Sequence, residues 1–198
     1  MEKLRLFTAL PVPVDVRAMV DSSLRKGVEG LWTHPDDLHI TLRFLGDVDA
    51  CLLPEIIAAL KRVRRPVFHV DIAGLGTFAG RRQTILWAGV QSTRKLTALA
   101  AKINEVLEPL GFEMPHKPYI PHMTLARLKN TQLKNTQGLA RYRREQETAM
   151  RFNWEADSFR LFRSAASAGN QGRYSALECY PLIGSRKARD QDKRHRTI

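Results

Sequence analysis

His39-Ile40-Thr41-Leu42 returns later in the chain as His122-Met123-Thr124-Leu125. Each stretch reads His, apolar, Thr, Leu, and each is followed three residues on by another leucine, Leu45 or Leu128. In a β-strand, side chains alternate between faces. His and Thr then share one face, while Ile40 with Leu42, or Met123 with Leu125, share the other. The apolar face seats in a core, and an imidazole and a hydroxyl look into a groove. Two such strands supply two of each. The bland alternative is a pair of half-buried strands whose threonines merely suit β structure. A single His-x-Thr is common by chance; two copies of the tetrapeptide are far rarer.

Paired imidazoles suit phosphodiester chemistry. Imidazole exchanges a proton near neutrality, with an ordinary pKa of about 6.5. Cleaving a phosphodiester requires one group to take a proton from the attacking oxygen and another to protonate the departing one. His39 and His122 fit those two roles, and the Thr41 and Thr124 hydroxyls are placed to hydrogen-bond the charge that gathers on the non-bridging oxygens. Arg43 and Arg127 lie close by, although strand parity sets Arg127 off the histidine face, so that its access requires a bend. Parity also puts Phe44 opposite His39, favouring the core over a base-stacking role. Tyr119, in the proline-rich approach to His122, is an equal contender for substrate contact.

Rival chemistries find less support. A zinc site wants three or four ligands, and beyond His116 with His122 there is only Asp36 and Asp37 near His39. No HExxH, GxSxG, P-loop or dinucleotide fingerprint occurs. The expectation is a site with no metal and no cofactor. His34, His69 and His195, with Trp32, Trp87 and Trp154, receive structural or surface readings.

The 198 residues suit one domain and are 43% apolar, while a net charge of +12 favours a polyanionic partner, nucleic acid before anionic membrane. The sequence pI is about 10.2. Part of the excess lies in Arg186, Lys187, Arg189, Lys193, Arg194 and Arg196, so residues 185–198 are expected to form a basic, disordered tail on a domain spanning 1–184. Cys51 and Cys179 form no CxxC pair, and no signal peptide or membrane span is visible, which points to the cytoplasm. A monomer is the default.

Periodicity predicts strands over residues 4–10, 39–45, 67–72 (extended by 74–78), 84–90, 122–128, 154–162 and 174–182. Gly46-Asp47 should end the first motif strand, and 67–90 should fold as a hairpin. Helices are predicted over 14–26, 52–63 and from Ser92 to Leu107, with a weak one over 138–150 and Gly27 as a stop. The linker 164–172 and the segment 130–138 read as loops. Adjacent strands without helices between them indicate an α+β chain with mixed or antiparallel sheets. The motif histidines lie 83 residues apart, each after a helix and a turn, as in two lobes of a weak pseudo-repeat.

The paired motifs resemble the two-histidine phosphoesterase superfamily. More closely, Arg5-Leu6-Phe7-Thr8-Ala9-Leu10-Pro11, His39 to Gly46 and Pro118 to Arg127 resemble the bacterial and archaeal RNA 2′,3′-cyclic phosphodiesterases, also called 2′-5′ RNA ligases (LigT-like). The Gly74-Leu75-Gly76-Thr77-Phe78 run is similar as well, and the resemblance covers most of residues 4–182. It implies a bilobal α+β fold, two antiparallel sheets flanking a central groove with helices outside. It implies metal-independent opening of RNA 2′,3′-cyclic phosphate ends to 2′-phosphates, with reversible 2′-5′ ligation in some members. The RNA partner would carry a cyclic end, with tRNA fragments among the candidates. His39, Thr41, His122 and Thr124 match the family tetrad, and Arg127 matches a basic residue that approaches the substrate phosphate. The alternatives are an RNA-end-binding protein without turnover and a phosphodiesterase for a small cyclic nucleotide.

Overall fold

Among the described residues, alternating apolar residues make nine strands and helical stripes make four helices, in an α+β chain. The computed structural model describes residues 2–24, 30–91, 93–129, 136–146, 151–164 and 173–184. In chain order the elements are β1 (Lys3–Pro11), α1 (Val14–Leu24), β2 (Leu31–Trp32), β3 (His39–Asp49), α2 (Leu53–Leu60), β4 (Phe68–Ala79), β5 (Gln83–Val90), α3 (Arg94–Leu107), β6 (His122–Lys129), α4 (Thr136–Gln146), β7 (Arg151–Ala156), β8 (Ser158–Ser164) and β9 (Tyr174–Pro181). The tail 185–198, the stop at Gly27 and the Ser92 cap lie outside the described residues.

The strands form one antiparallel sheet in the order β7-β4-β5-β6-β3-β1-β8-β9, with β2 also paired to β6. The expected two sheets are therefore joined. Their junction is the two motif strands, which meet through one registered pair, Ile40 with Met123. Both side chains have 0% exposure. They point into the main core with Leu42 and Leu125, against Ile56 and Leu60 of α2 and Leu96, Leu99, Ile103 and Leu107 of α3. Each fully buried leucine or isoleucine contributes about 1.5–3 kcal/mol. Thr93 caps α3, its hydroxyl accepting from the Leu96 N–H at 3.1 Å. A smaller cluster of Phe7, Ala9 and Phe162, with Tyr174 against it, forms apart from the main core.

Two strand boundaries differ from the sequence reading. β3 does not stop at Gly46 but continues to Asp49, because Gly46 takes φ +79° and the strand keeps its partner β1 as far as Lys3 opposite Asp49. The single strand expected over 154–162 is two. β7 pairs with β4, and after Asp157 β8 pairs with β1, on the other half of the sheet. The apolar phase slips there, from Trp154 and Ala156 to Phe159 and Leu161, all buried.

Gly76 of β4 lies under the Trp87 ring of β5, where a Cβ would overlap the indole. Gly76→Ala should therefore destabilise the protein by about 1–3 kcal/mol, the usual cost of overpacking. Urea denaturation followed by circular dichroism would measure it, and an unchanged midpoint would refute this packing.

Candidate active site

Strand alternation places His39 and Thr41 on one face of β3, and His122 and Thr124 on the same face of the sheet from β6. Their apolar neighbours Ile40, Leu42, Met123 and Leu125 are buried on the other face. Continuing the antiparallel register from Ile40–Met123 sets His39 across from Thr124 and Thr41 across from His122. The four polar side chains thus occupy the corners of one small patch.

Both imidazoles are oriented in the same way. His39 Nδ1–H donates to the Asp37 carbonyl at 2.6 Å, and His122 Nδ1–H donates to the Ile120 carbonyl at 2.8 Å. A carbonyl only accepts, so in each ring Nδ1 carries hydrogen and Nε2 is left to exchange protons. The flanks of the two rings differ. His39 is bordered by Phe7 at 4.9 Å, by the edge-on ring of Tyr174 at 5.1 Å and by Phe162 at 6.4 Å. Phe78, edge-on at 5.0 Å, and Trp87, at 6.2 Å, border His122. Burial pushes the His39 pKa below its ordinary value. The hydrogen bond to the Asp37 carbonyl and the Asp37 charge oppose that shift, while the charges of His122 and Arg127 add to it.

Each motif strand carries a β-bulge one residue past its threonine. On β3, Ala9 pairs with Thr41 but Thr8 pairs with Arg43, so Leu42 is the extra residue. On β6, Trp87 pairs with Thr124 but Leu86 pairs with Ala126, so Leu125 is the extra residue. One added residue reverses the parity of those that follow, on β3 as far as Leu45, which is extra in turn. Phe44 and Arg127, each five residues after a motif histidine, therefore come round to the histidine face. This corrects the core reading of Phe44, which is 64% exposed with its ring 5.7 Å from Phe7. It also supplies the bend that Arg127 requires.

Arg43 is turned to the opposite face. It pairs with buried Thr8, and its guanidinium donates to the Glu113 carbonyl. Tyr119 packs against the main core and donates its hydroxyl to the Thr41 carbonyl at 3.0 Å, while burial raises its pKa. That hydroxyl fixes the first motif strand. His34 Nδ1 accepts from the Asp36 N–H at 3.3 Å, and His69 and His116 are exposed. Among the described residues, no group of three or more His, Cys, Asp or Glu is placed to hold a metal ion.

Sequence reasoning passed over Asp37 except as a metal ligand. Its buried carboxylate accepts from the backbone N–H of Arg173 at 2.9 Å and of Tyr174 at 3.2 Å. Asp37 thus anchors the start of β9 and, through it, the ring that stands edge-on to His39. The aromatic wall of Phe7, Phe162 and Tyr174 was also missed, because strands distant in sequence build it. The short strand β2 was the third omission; Leu31 pairs with Arg127 and Trp32 with Ala126.

Residues 24–167 match the family described as the 2′-5′ RNA ligase superfamily, and the chain belongs to that superfamily. Among its relatives is the RNA 2′,3′-cyclic phosphodiesterase of Aeropyrum pernix, 31% identical over 146 residues, which are 73% of this chain and 82% of that protein. The Archaeoglobus fulgidus protein of the same name is 35% identical over 130 residues, 64% of this chain and 73% of its own. That of Geobacillus stearothermophilus is 32% identical over 134 residues, but the match spans only 43% of its length and 64% of this chain. The crystal structure of E. coli LigT complexed with 3′-AMP superposes with a TM-score of 0.75 at 25% identity, covering 92% of this chain and 99% of that one.

Asp37→Ala removes the buried acceptor of two backbone N–H groups. Hydrogen bonds to a charged group contribute about 1.5–3 kcal/mol each, so the urea midpoint should fall clearly. A variant as stable as the parent would show that the Asp37 carboxylate does not anchor β9.

Proposed function

We propose that the chain hydrolyses RNA 2′,3′-cyclic phosphate ends to 2′-phosphates by metal-independent acid–base catalysis in this groove. The observation that carries the reading is the matched pair of imidazoles, each held by Nδ1 to a carbonyl two residues earlier, with two threonines beside them. The names of the relatives support it. His122 Nε2 takes a proton from water as the water oxygen attacks phosphorus. The bond from phosphorus to O3′ breaks, and His39 gives its proton to O3′. A proton has then passed from one histidine's side to the other, and exchange with solvent restores the pair. Thr41, Thr124 and Arg127 hydrogen-bond the non-bridging oxygens, where charge gathers in the transition state. The exposed Phe44 ring stacks on the base. With an RNA 5′-hydroxyl in place of water as the nucleophile, the same groups break the bond to O3′ and join two ends through a 2′-5′ linkage, and the reverse step cleaves that linkage and re-forms the cyclic phosphate. Exposed, unpaired Cys51 and Cys179 suit a reducing compartment such as the cytoplasm.

His39→Ala and His122→Ala should each lower turnover of an oligoribonucleotide with a 2′,3′-cyclic end by about 10²–10⁴-fold, the range of general acid–base contributions. EDTA should leave the parent protein's rate unchanged. Full activity in either variant would sink the mechanism.

The pH profile follows from the direction of the His39 shift. As the acid, His39 must be protonated, and burial holds its pKa low in the free protein. One limb of the kcat/KM profile, which reports free enzyme, should therefore lie below about 6.5. A bound phosphate anion favours imidazolium, so the His39 limb should move to higher pH in the kcat profile. A kcat/KM profile with no limb below the ordinary histidine value would refute a lowered His39 pKa. For Phe44→Ala, steady-state kinetics should show a raised KM with kcat little changed, whereas a loss confined to kcat would exclude stacking as its role.

A further inference from the structure

Beside His39, on the side away from His122, lies a cleft of about 330 Å³ including its open mouth, lined by Pro11, Arg17, His39, Arg160, Phe162 and Tyr174. Two carboxylates also border it, Asp36 and Asp37. Both are engaged. Asp36 pairs with Arg17 at 2.6 Å and stands 3.6 Å from His34 Nδ1, and Asp37 accepts from the Arg173 and Tyr174 N–H groups. Arg160 is the charge left over. Among the described residues its guanidinium has no hydrogen bond or ion pair, and its Nε is buried without a partner. A guanidinium that borders a cleft with its Nε shielded from water and unpartnered is suited to an anionic oxygen.

Arg160 belongs to the same face as the motif residues. It pairs with Ala9, and Ala9 pairs with Thr41, while Pro11 pairs with His39. Opposed residues in an antiparallel sheet share a face, so Arg160 stands two strands, about 10 Å, from Thr41. In the other half the matching path runs from Thr124 to Trp87 to Gly76. The two halves match at the histidines and threonines, yet only one has a guanidinium at this place.

We propose that this cleft is a subsite for the 5′-phosphate of the nucleoside that bears the cyclic end, and that Arg160 binds it. The proposal rests on the reading of the groove given above. The geometry of the nucleoside carries it further. A 2′,3′-cyclic phosphate spans C2′ and C3′. The base leaves from C1′, next to C2′, and the 5′-carbon leaves from C4′, next to C3′. From the cyclic phosphate, base and 5′-phosphate therefore extend in opposite directions. Phe44 lies toward the far end of β3 from His39, opposite Phe7, and the Arg160 cleft lies at the His39 end. A base on Phe44 sends the 5′-phosphate toward Arg160. The same placement brings O3′ to the His39 side, where the proposed acid stands. In an RNA this 5′-phosphate is the last phosphodiester; in a free nucleotide it is a terminal phosphate.

Three substrates separate the possibilities: adenosine 2′,3′-cyclic phosphate, the same compound with a 5′-phosphate, and a dinucleotide ending in it. The parent protein should show kcat/KM at least tenfold higher for the second and third than for the first. In Arg160→Gln that ratio should fall to near one, and in Arg160→Lys to an intermediate value. A tenfold gain for both compounds marks an RNA chain as the natural source of the phosphate. A gain for the 5′-phosphorylated nucleotide alone upholds the subsite and marks a mononucleotide. A parent ratio near one, or a ratio unchanged in Arg160→Gln, overturns the proposal. Calorimetric binding of adenosine 2′-phosphate against adenosine 2′,5′-bisphosphate tests the subsite apart from the chemistry. If no substrate is turned over, the hydrolase reading fails. The subsite then stands if the bisphosphate binds at least tenfold tighter and Arg160→Gln removes the difference, and falls if the two bind alike.

Discussion

The pairing of Ile40 with Met123 is the contact on which the rest of the site depends. It is the one registered pair between β3 and β6, and both side chains are fully buried. Burial allows neither strand to slip by one residue, since a slip would turn all of its apolar side chains to the groove. The register brings each histidine across from the other strand's threonine. The brevity of the pairing matters as much as its position. Beyond it the strands separate, and at one end β2 takes the place beside β6. Two halves of one sheet are thereby hinged along a line, with polar side chains on its open side.

The tetrapeptides were legible because they are local. Alternation told which residues face the core, and the structure agrees for all eight motif positions. The same rule failed immediately afterwards. The residues that reverse the phase are Leu42 and Leu125, ordinary apolar residues in apolar strands, and nothing in their chemistry announces a bulge. Phe44 and Arg127 were misplaced for that reason alone. In the case of Arg127 the family resemblance pointed against parity, and the bulge at Leu125 turns the residue to the histidine face. Asp37 was harder to read. Its partners are backbone groups more than a hundred residues away, and no side-chain pattern records them. Helix α3 marks the opposite extreme, since its stripe from Leu96 to Leu107 is buried as its spacing required.

Two unlike local structures give the two histidines the same orientation. Asp37 closes a 3-10 turn over Pro35–Asp37. Ile120 instead precedes Pro121, and a residue before proline is held extended. Either way a carbonyl two residues before the histidine points at Nδ1. The aromatic surroundings then set the rings apart. Burial lowers the proton affinity of His39 against the pull of Asp37. A site matched in its backbone thus surrounds its two histidines with unlike side chains.

The division of the last strands at Asp157 reaches into how the chain folds. One half of the sheet is built from β1, β3, β8 and β9, and the other from β4 to β7. The first half therefore draws on both ends of the described chain and encloses the second in sequence. Arg5 finds Ser164 only after everything between them has been synthesised. Such pairings carry a large loop-closure entropy and slow folding. The weak repeat consequently does not correspond to two tandem folding units, because no single cut in the chain frees both halves intact. Phe162 and Tyr174 of the wall beside His39 belong to β8 and β9, so this side of the groove is completed only after the strands of the other half have been synthesised.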